Sequence, residues 1–238
     1  MYYIAVSPGK LADSSSNVRA APNTTSAVVG WINSIGTLAE RIGQENGWSN
    51  YKFETSNVNG WVRDDVHWWT PLTDITLNVP FVSQNDVNSD EHLNECGIAS
   101  TASILRNYCI DDTVEDLANS VGMTYRSLTS FDHMIRIAKE HRVPHLFQRP
   151  LTPTDIIRGF YVKKASVALV NYKYVGNKVF PHFIVAYGVA GNDVLIRDPY
   201  NALITKISPM QLARAMRYSS ENGNLPWQGI IFDLKKEC

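Results

Sequence analysis

A cysteine at the start of a predicted helix is the residue in this sequence best suited to nucleophilic chemistry. Cys96 is followed by Gly97 and by a run of small and apolar residues without proline, up to about Leu105. This composition predicts a closely packed helix. The free N–H groups and the dipole at a helix N-terminus favour an anion, and therefore the reactive thiolate. The alternative is a structural cysteine, because free cysteines are among the most buried residues.

The segment before this helix supplies a second polar group. Residues 79–82 form a short apolar run that predicts a strand, and Gln84 follows it at the start of a polar loop. If the loop folds back towards Cys96, the Gln84 amide can donate to an oxyanion that forms during attack on a carbonyl group.

The position of His182 suits a general base. It begins an apolar strand, turn signals occupy residues 188–193, and a return strand ends at Asp198. Folding this hairpin places His182 and Asp198 at the same end of neighbouring strands. An aspartate bonded to one imidazole nitrogen fixes the tautomer and leaves the other nitrogen to face a thiol. The alternative is a solvent-capped strand end beside a plain Asp-Pro turn.

The other histidines are less well placed. His92 is near the cysteine in sequence but lies in a polar loop, and His133 lies on a predicted helix with a solvated face. His141 and His145 have the four-residue spacing of a helical metal site, but Pro144 interrupts a helix between them. The sequence therefore predicts no metal and no other cofactor.

Composition limits the class of protein. The chain has 238 residues, 44% hydrophobic and 19% charged, which is typical of one large globular domain or two modest ones. The net charge of −1 gives no electrostatic reason to bind nucleic acid. No apolar run reaches the ~18 residues of a transmembrane helix, so we expect no integral membrane protein.

The cysteines and the N-terminus indicate where the chain is made. The three cysteines contain no close pair, which indicates neither a disulfide framework nor a zinc site and fits a reducing compartment. The N-terminus lacks the basic region of a secretory signal. We therefore expect synthesis in the cytoplasm, and any action outside the cell would require release by another route.

The N-terminal third has the pattern of a small β-barrel. Short apolar segments alternate with turn signals, among them Asn46-Gly47 and Asn59-Gly60, and predict five short strands. This stretch, roughly residues 18–69, resembles a bacterial SH3 domain. The likeness rests on Asn17-Val18-Arg19, Pro22, Gly30, Gly36-Thr37, Gly47-Trp48 and Gly60-Trp61-Val62.

The resemblance implies an attachment module that binds cell-wall peptides or glycans. Trp48, Tyr51 and Trp61 are the candidate ligand-binding residues, and the alternative is that these rings pack the barrel core. Residues 70–76 have the composition of a linker. We therefore divide the chain into an SH3-like domain, residues 1–74, and a second domain, residues 75–238.

The second domain has an α+β pattern. Helices are predicted over residues 96–105, 113–121, 130–141, from Thr152 onwards, and over 208–218, with Thr or Ser at several starts. Strands rich in β-branched and aromatic residues follow Ala165, and a last strand covers residues 228–234. Helices first and an antiparallel sheet later are typical of an α+β domain.

The segments VPFVSQ, ECGIAS, PHFIVAYG and RDP, in that order, resemble papain-like cysteine peptidases of the double-glycine-leader-peptidase-like family, over residues 77–234. The resemblance implies that Gln84 forms the oxyanion hole, Cys96 is the nucleophile, His182 is the base and Asp198 orients it. Many relatives have proline where Ile98 stands, and the stretch between the glutamine and the cysteine is longer here. We therefore do not expect processing of bacteriocin leaders inside an exporter.

These resemblances together imply a cysteine peptidase, tethered by the SH3-like domain, that cleaves peptidoglycan as a cell-wall hydrolase or phage lysin does. Amidase cleavage between sugar and peptide would use the same acyl chemistry. A bacterial peptidase that processes other peptides is an alternative. A catalytically silent binding protein and a transglutaminase-like acyltransferase on the same fold are further alternatives.

Overall fold

The computed structural model describes residues 2–5, 16–32, 38–53, 59–64, 69–71, 73–85, 94–124, 127–217 and 226–235. The chain divides into two compact units, Met1–Thr73 and Asp74–Cys238. Asp74 belongs with the C-terminal unit, because its carboxylate accepts a hydrogen bond from the Gly191 N–H at 2.6 Å. Within the described residues, no helix has the length and apolar character needed to span a bilayer.

The strands of the N-terminal unit are β1 (Tyr2–Ala5), β2 (Ser16–Arg19), β3 (Val28–Ile32), β4 (Leu38–Glu45), β5 (Trp48–Phe53), β6 (Asn59–Arg63) and β7 (Trp69–Pro71). They form an antiparallel sheet with the strand order β3-β2-β6-β5-β4-β1-β7. Its buried core consists of side chains from four strands: Val18, Ala39, Tyr51, Phe53 and Val62. Strands β2 to β6 follow the predicted pattern of five short strands, while the likeness to an SH3 barrel stays a prediction.

The two Asn-Gly pairs have different structures. Asn46 and Gly47 have φ angles of 50° and 77° and form the tight turn between β4 and β5, as predicted. Asn59 and Gly60 lie inside β6, so the predicted turn there was wrong. A Cβ on Gly60 would lie 2.2 Å from Val18 Cγ1, so glycine is needed for the close approach of β2 and β6.

The C-terminal unit contains six helices and seven strands among its described residues. The helices are α1 (Cys96–Arg106), α2 (Val114–Ser120), α3 (Phe131–Glu140), α4 (Pro153–Tyr161), α5 (Lys173–Gly176) and α6 (Pro209–Arg217). The strands are β8 (Ile75–Thr76), β9 (His145–Gln148), β10 (Lys164–Asn171), β11 (Pro181–Ala190), β12 (Asp193–Arg197), β13 (Lys206–Ile207) and β14 (Gly229–Asp233).

Capping boxes fix the starts of three of these helices. The side chains of Thr113, Ser130 and Thr152 each accept a hydrogen bond from the backbone N–H three residues later, and the side chain at that later position bonds back. Pro153 occupies the first turn of α4. The predicted starts of α2, α3 and α4 are therefore confirmed.

The sheet of the C-terminal unit has the order β13-β12-β11-β10-β14-β9, with β8 pairing β11. All its pairs are antiparallel, and α1 and α3 pack against it, so the α+β pattern is confirmed. The core between helices and sheet includes Ile98, Leu105, Met134, Val185 and Phe232, all buried.

The predicted strand over residues 79–82 was wrong. These residues are irregular: Pro80 has no N–H, the Val79 N–H donates to Leu77 O at 3.0 Å, and Val79 O accepts from Arg197 Nε at 3.0 Å. The division between the two units falls within the linker expected over residues 70–76, and this stretch also contains the end of β7 and all of β8.

Gly188 shows why β11 is longer than predicted. The turn signals at residues 188–193 suggested a turn, but β11 continues to Ala190. A Cβ on Gly188 would lie 2.3 Å from Ile75 O, so glycine at this position lets β8 lie beside β11. The composition signal reflected a close backbone approach rather than a turn.

The cysteines differ from the sequence expectation. Cys96 is free, as expected of a candidate nucleophile, whereas Cys109 is disulfide-bonded. The sequence indicated no disulfide framework because the cysteines are not closely spaced along the chain, whereas a disulfide depends on proximity in space.

Candidate active site

Cys96 is the first residue of α1 and is partly exposed. The first turn contains no acidic side chain, and the N-cap residue Glu95 makes no side-chain cap hydrogen bond. The N-terminal end of the helix dipole therefore acts on the sulfur without a neutralising carboxylate in that turn. A Cβ on Gly97 would lie 2.4 Å from Thr129 Cγ2 and 3.0 Å from Phe183 Cδ2, so glycine lets the helix start pack against the sheet.

His182 and Asp198 lie at the same end of the β11–β12 pair. Val185 pairs with Arg197, so the register brings the residue after β12 alongside the beginning of β11. His182 Nε2 lies 2.7 Å from Asp198 Oδ1, and each residue is only 1% exposed. The Tyr200 N–H donates to the same carboxylate oxygen at 3.0 Å.

The imidazole of His182 joins this pair to Cys96. Because Nε2 bonds Asp198, Nδ1 is the nitrogen left for its hydrogen bond with Cys96. Burial lowers the pKa of His182, but the Cys96 thiolate and the hydrogen bond to Asp198 outweigh it and raise the pKa to about 9. The imidazolium is therefore the favoured form near neutral pH.

Gln84 lies on the same cleft and is 3% exposed. Its backbone N–H donates to Pro199 O at 2.9 Å, and the Asn85 amide donates to Tyr200 O at 3.3 Å. These bonds tie the Gln84 turn to the loop that carries Asp198. An amide donor in the cleft that contains Cys96 is suited to stabilising an oxyanion.

The cleft in front of Cys96 has a volume of about 620 Å³. One wall is apolar, and it includes Leu128, Phe131 and Phe183. Leu128 is 66% exposed, while Phe131 packs edge-on against Phe183 with ring centroids 5.1 Å apart. The other described lining residues are Gln84, Asn94, Cys96, Thr129, Ser130, Leu169, Phe180, Pro181, His182, Tyr200 and Gln228.

A comparison with known protein families gives this arrangement an identity. The model of the peptidase C39 family matches residues 84–216, which is more than half of the chain. The chain belongs to the peptidase C39 family. It is therefore a cysteine peptidase, a hydrolase of peptide bonds.

One solved structure shares the fold, and two others have lower TM-scores. A protein described as a C39-like peptidase from Bacillus anthracis has a TM-score of 0.51 and 17% identity, covering 70% of this chain and 100% of that one. A double-glycine motif protease from an AMS/PCAT transporter, solved with a leader peptide, has a TM-score of 0.47 and 20% identity, with coverages of 69% and 98%. The peptidase domain of Streptococcus ComA, a bifunctional ABC transporter in a quorum-sensing pathway, has a TM-score of 0.45 and 16% identity, with coverages of 66% and 100%. Among curated proteins, none matches this chain.

Three aromatic residues that surround His182 in this C39 peptidase were not predicted from the sequence. The His182 ring centroid lies 4.8 Å from that of Tyr172, 5.7 Å from Phe180 and 6.3 Å from Tyr200. Tyr172 also donates its hydroxyl to Asp198 Oδ2 at 2.9 Å. Tyr172 directly follows β10. The pairing of Val170 with His182 would have indicated that Tyr172 lies near His182, but this register is not evident from the sequence.

The other sequence-level candidates lie elsewhere. Trp48 and Tyr51 are buried in the N-terminal unit, whereas Trp61 is partly exposed. His92 lies outside the described residues. Among those that are described, no cluster of three or more His, Cys, Asp or Glu side chains could hold a metal ion.

The remaining described histidines have local partners. The Ser130 N–H donates to His133 Nδ1 at 3.3 Å. His141 Nε2 lies 3.3 Å from Asp112 Oδ2, and His145 Nδ1 lies 2.8 Å from Val143 O. His133 and His141 therefore belong to local contacts of α3 rather than to the site around Cys96.

Proposed function

We propose that Cys96 is the nucleophile of this peptidase, that His182 is its general base and acid, and that Asp198 holds His182 in place. The carrying observation is the hydrogen-bonded series from Asp198 through His182 to Cys96 at the start of α1. Gln84 and the Cys96 backbone N–H are assigned to the oxyanion, because Gln84 lines the same cleft as Cys96 and the Cys96 N–H belongs to the first turn of α1.

The reaction follows from these positions. The Cys96 thiolate attacks the carbonyl carbon of the scissile bond, and the charge moves to the carbonyl oxygen. When the C–N bond breaks, the imidazolium of His182 gives its proton to the leaving amine, which leaves a thioester on Cys96. His182 then takes a proton from water, the resulting hydroxide attacks the thioester, and the products are a carboxylic acid and the free cysteine.

We assign peptidoglycan peptides as the substrate and an SH3-like attachment role to the N-terminal unit. Support comes from the order of the SH3-like motifs, from the five short strands β2 to β6, and from the pairing of such modules with peptidases in cell-wall hydrolases. Trp61 is the partly exposed member of the three ring residues considered for ligand binding. Such a peptidase would be made in the cytoplasm and would reach the wall after release, as a lysin does.

A second candidate is a peptidase that processes other peptides. The observation in its favour is the apolar wall of the cleft, formed by Leu128, Phe131 and Phe183. Bulky apolar substrate side chains would bury surface there at about 25 cal/mol per Å². Peptidoglycan peptides rich in alanine would bury less apolar surface in the cleft.

Mass analysis of cleavage products separates the two candidates. The wild-type protein and Cys96→Ala are incubated with purified peptidoglycan and, in parallel, with a mixed peptide library. Products released from peptidoglycan only by the wild type support cell-wall cleavage: a new N-terminus within a peptide indicates an endopeptidase, whereas whole peptides freed from the glycan at the sugar–peptide amide indicate an amidase. Cleavage confined to library peptides with bulky apolar residues supports the second candidate. Equal products from Cys96→Ala contradict the assignment of the nucleophile.

A truncation tests the role of the N-terminal unit. The variant lacks residues 1–73 and retains Asp74, because this carboxylate bonds the turn between β11 and β12. Circular dichroism first checks that it is folded. We expect it to hydrolyse small soluble peptides at the wild-type rate and to lose activity on whole walls, because attachment acts through effective concentration. Equal activity of the full-length and truncated proteins on whole cell walls would contradict the attachment role.

A further inference from the structure

We propose that Tyr172 is a positioning residue of the peptidase, whose hydroxyl holds the Asp198 carboxylate in the orientation that serves His182. The inference rests on the proposed role of Asp198. Tyr172 is not among the described residues that line the cleft, so its action would pass through the carboxylate rather than through the substrate.

Both oxygens of Asp198 have donors. Oδ2 accepts the Tyr172 hydroxyl at 2.9 Å. Oδ1 bonds His182 Nε2 at 2.7 Å and accepts the Tyr200 N–H at 3.0 Å. Rotation of the carboxylate would break all three contacts, so its plane and the oxygen that faces the imidazole are fixed.

Tyr172 is itself held in place. It is 1% exposed, its ring stacks on Phe180 with centroids 4.6 Å apart, and its N–H donates to Phe180 O at 2.9 Å. A Cβ on Gly176 would lie 2.2 Å from the Tyr172 ring, so glycine at this position lets the short helix α5 pack closely against the ring. The Asn201 side chain also hydrogen-bonds the Tyr172 hydroxyl.

The phenol is a permanent donor. Burial, and then the charge of Asp198, raise the pKa of Tyr172 above its usual value, so the hydroxyl keeps its proton throughout the range in which the enzyme works. A buried carboxylate needs such a donor, because an oxygen without a partner loses the hydration that it would have in water. The Tyr172 hydroxyl therefore supplies a hydrogen bond to Asp198 Oδ2 while the imidazole gains and loses its proton.

Alkylation of Cys96 by iodoacetamide provides a test that needs no known substrate. In Tyr172→Phe the ring stays and only the hydroxyl is lost, so we expect the rate near neutral pH to fall about tenfold, as the loss of one hydrogen bond to a charged group implies. The difference should shrink in alkaline solution, where every thiol is ionised. Tyr108→Phe is the matched control, because the Tyr108 hydroxyl bonds Asp233 O, away from the cleft, and the wild-type rate is expected.

A double-mutant cycle tests whether Tyr172 acts through Asp198. In an Asp198→Ala background, Tyr172→Phe should cause no further loss, because the oxygen that it serves is gone. An equal loss in both backgrounds, or no loss in either, would overturn the proposal. If His182→Ala also leaves the alkylation rate unchanged, the proposed function is wrong. If His182→Ala and Asp198→Ala slow the alkylation but Tyr172→Phe does not, only the proposed role of Tyr172 is wrong.

On any peptide that the library identifies, Tyr172→Phe should lower kcat per alkylatable Cys96 about ten- to a hundredfold and leave KM unchanged. A purely structural role predicts fewer alkylatable sites with an unchanged kcat per site, and that result would contradict the proposal.

Discussion

The two sides of the cleft stabilise their reactive groups in different ways. On the helical side, Cys96 is partly exposed, and the start of α1 has no acidic residue in its first turn. On the sheet side, His182 and Asp198 are each 1% exposed and are surrounded by aromatic rings and hydrogen bonds. The exposed side lets the substrate reach the sulfur, while the buried side keeps the base in one orientation.

This difference has a chemical consequence. An exposed group can be modified without disturbing its neighbours, whereas a buried charged network loses several contacts when one member is removed. The loss of activity caused by a substitution on the sheet side should therefore depend on how directly the substituted residue takes part in proton transfer. The following experiments test that order, from the largest effect to the smallest.

Removal of the base should have the largest effect. His182→Ala removes both the proton acceptor and the cation beside Cys96, and we expect kcat/KM to fall on the order of 10²–10⁴-fold or more. The measurement is kcat/KM on one cleavable peptide, after circular dichroism confirms folding. An active His182→Ala would show that the sheet side does not supply the base.

Removal of the charge on Asp198 should have an intermediate effect. Asp198→Asn keeps the size and can still hydrogen-bond the imidazole, but it no longer stabilises the imidazolium electrostatically. We expect a loss of kcat/KM smaller than that of His182→Ala, measured on the same peptide. A loss as large as that of His182→Ala would mean that the carboxylate charge, rather than its geometry, dominates.

The pH profile tests the same network through ionisation. The pKa of His182 is raised to about 9, so the imidazolium that protonates the leaving amine is lost as the pH rises through that value. We expect kcat/KM to decline on the alkaline side near pH 9 and the decline to begin at lower pH in Asp198→Asn, because the hydrogen bond to this carboxylate helps to raise the pKa. Coincident alkaline limbs in the two proteins would disconnect Asp198 from His182.

Substitution of His92 should have the smallest effect. This residue is close to Cys96 along the chain, but closeness in sequence does not by itself hold a base in place. We expect kcat/KM of His92→Ala to stay within about twofold of wild type, as for substitutions that remove no catalytic group. If His92→Ala is inactive and His182→Ala is active, the assignment of His182 as the base is wrong.

Local signals in the sequence predicted the elements that carry the site. Thr113, Ser130 and Thr152 mark helix starts because a capping side chain acts within three residues. Cys96 begins α1 as predicted, and β11 and β12 bring His182 beside Asp198 as the hairpin argument implied. These features depend on chain neighbours and on a single hairpin.

The features that were missed depend on distant contacts. Gly188 was interpreted as a turn residue. Glycine is needed there because β8 passes close to it at Ile75, which lies more than a hundred residues away in sequence. The strand β9, which pairs β14, and the contact of Tyr172 with Asp198 also join remote segments. Residues 79–82 have strand composition, yet the Val79 N–H donates to Leu77 O and Val79 O accepts from the Arg197 side chain.

Peptide-resolved alkylation of Cys96 near neutral pH tests the central claim most directly, because it measures the cysteine and its base without a substrate. The rates are compared in native wild type, in urea-unfolded wild type and in native His182→Ala. We expect Cys96 of the native wild type to react much faster than the same residue in the unfolded chain, and His182→Ala to lose most of that advantage. Equal rates in native wild type and native His182→Ala would contradict the account.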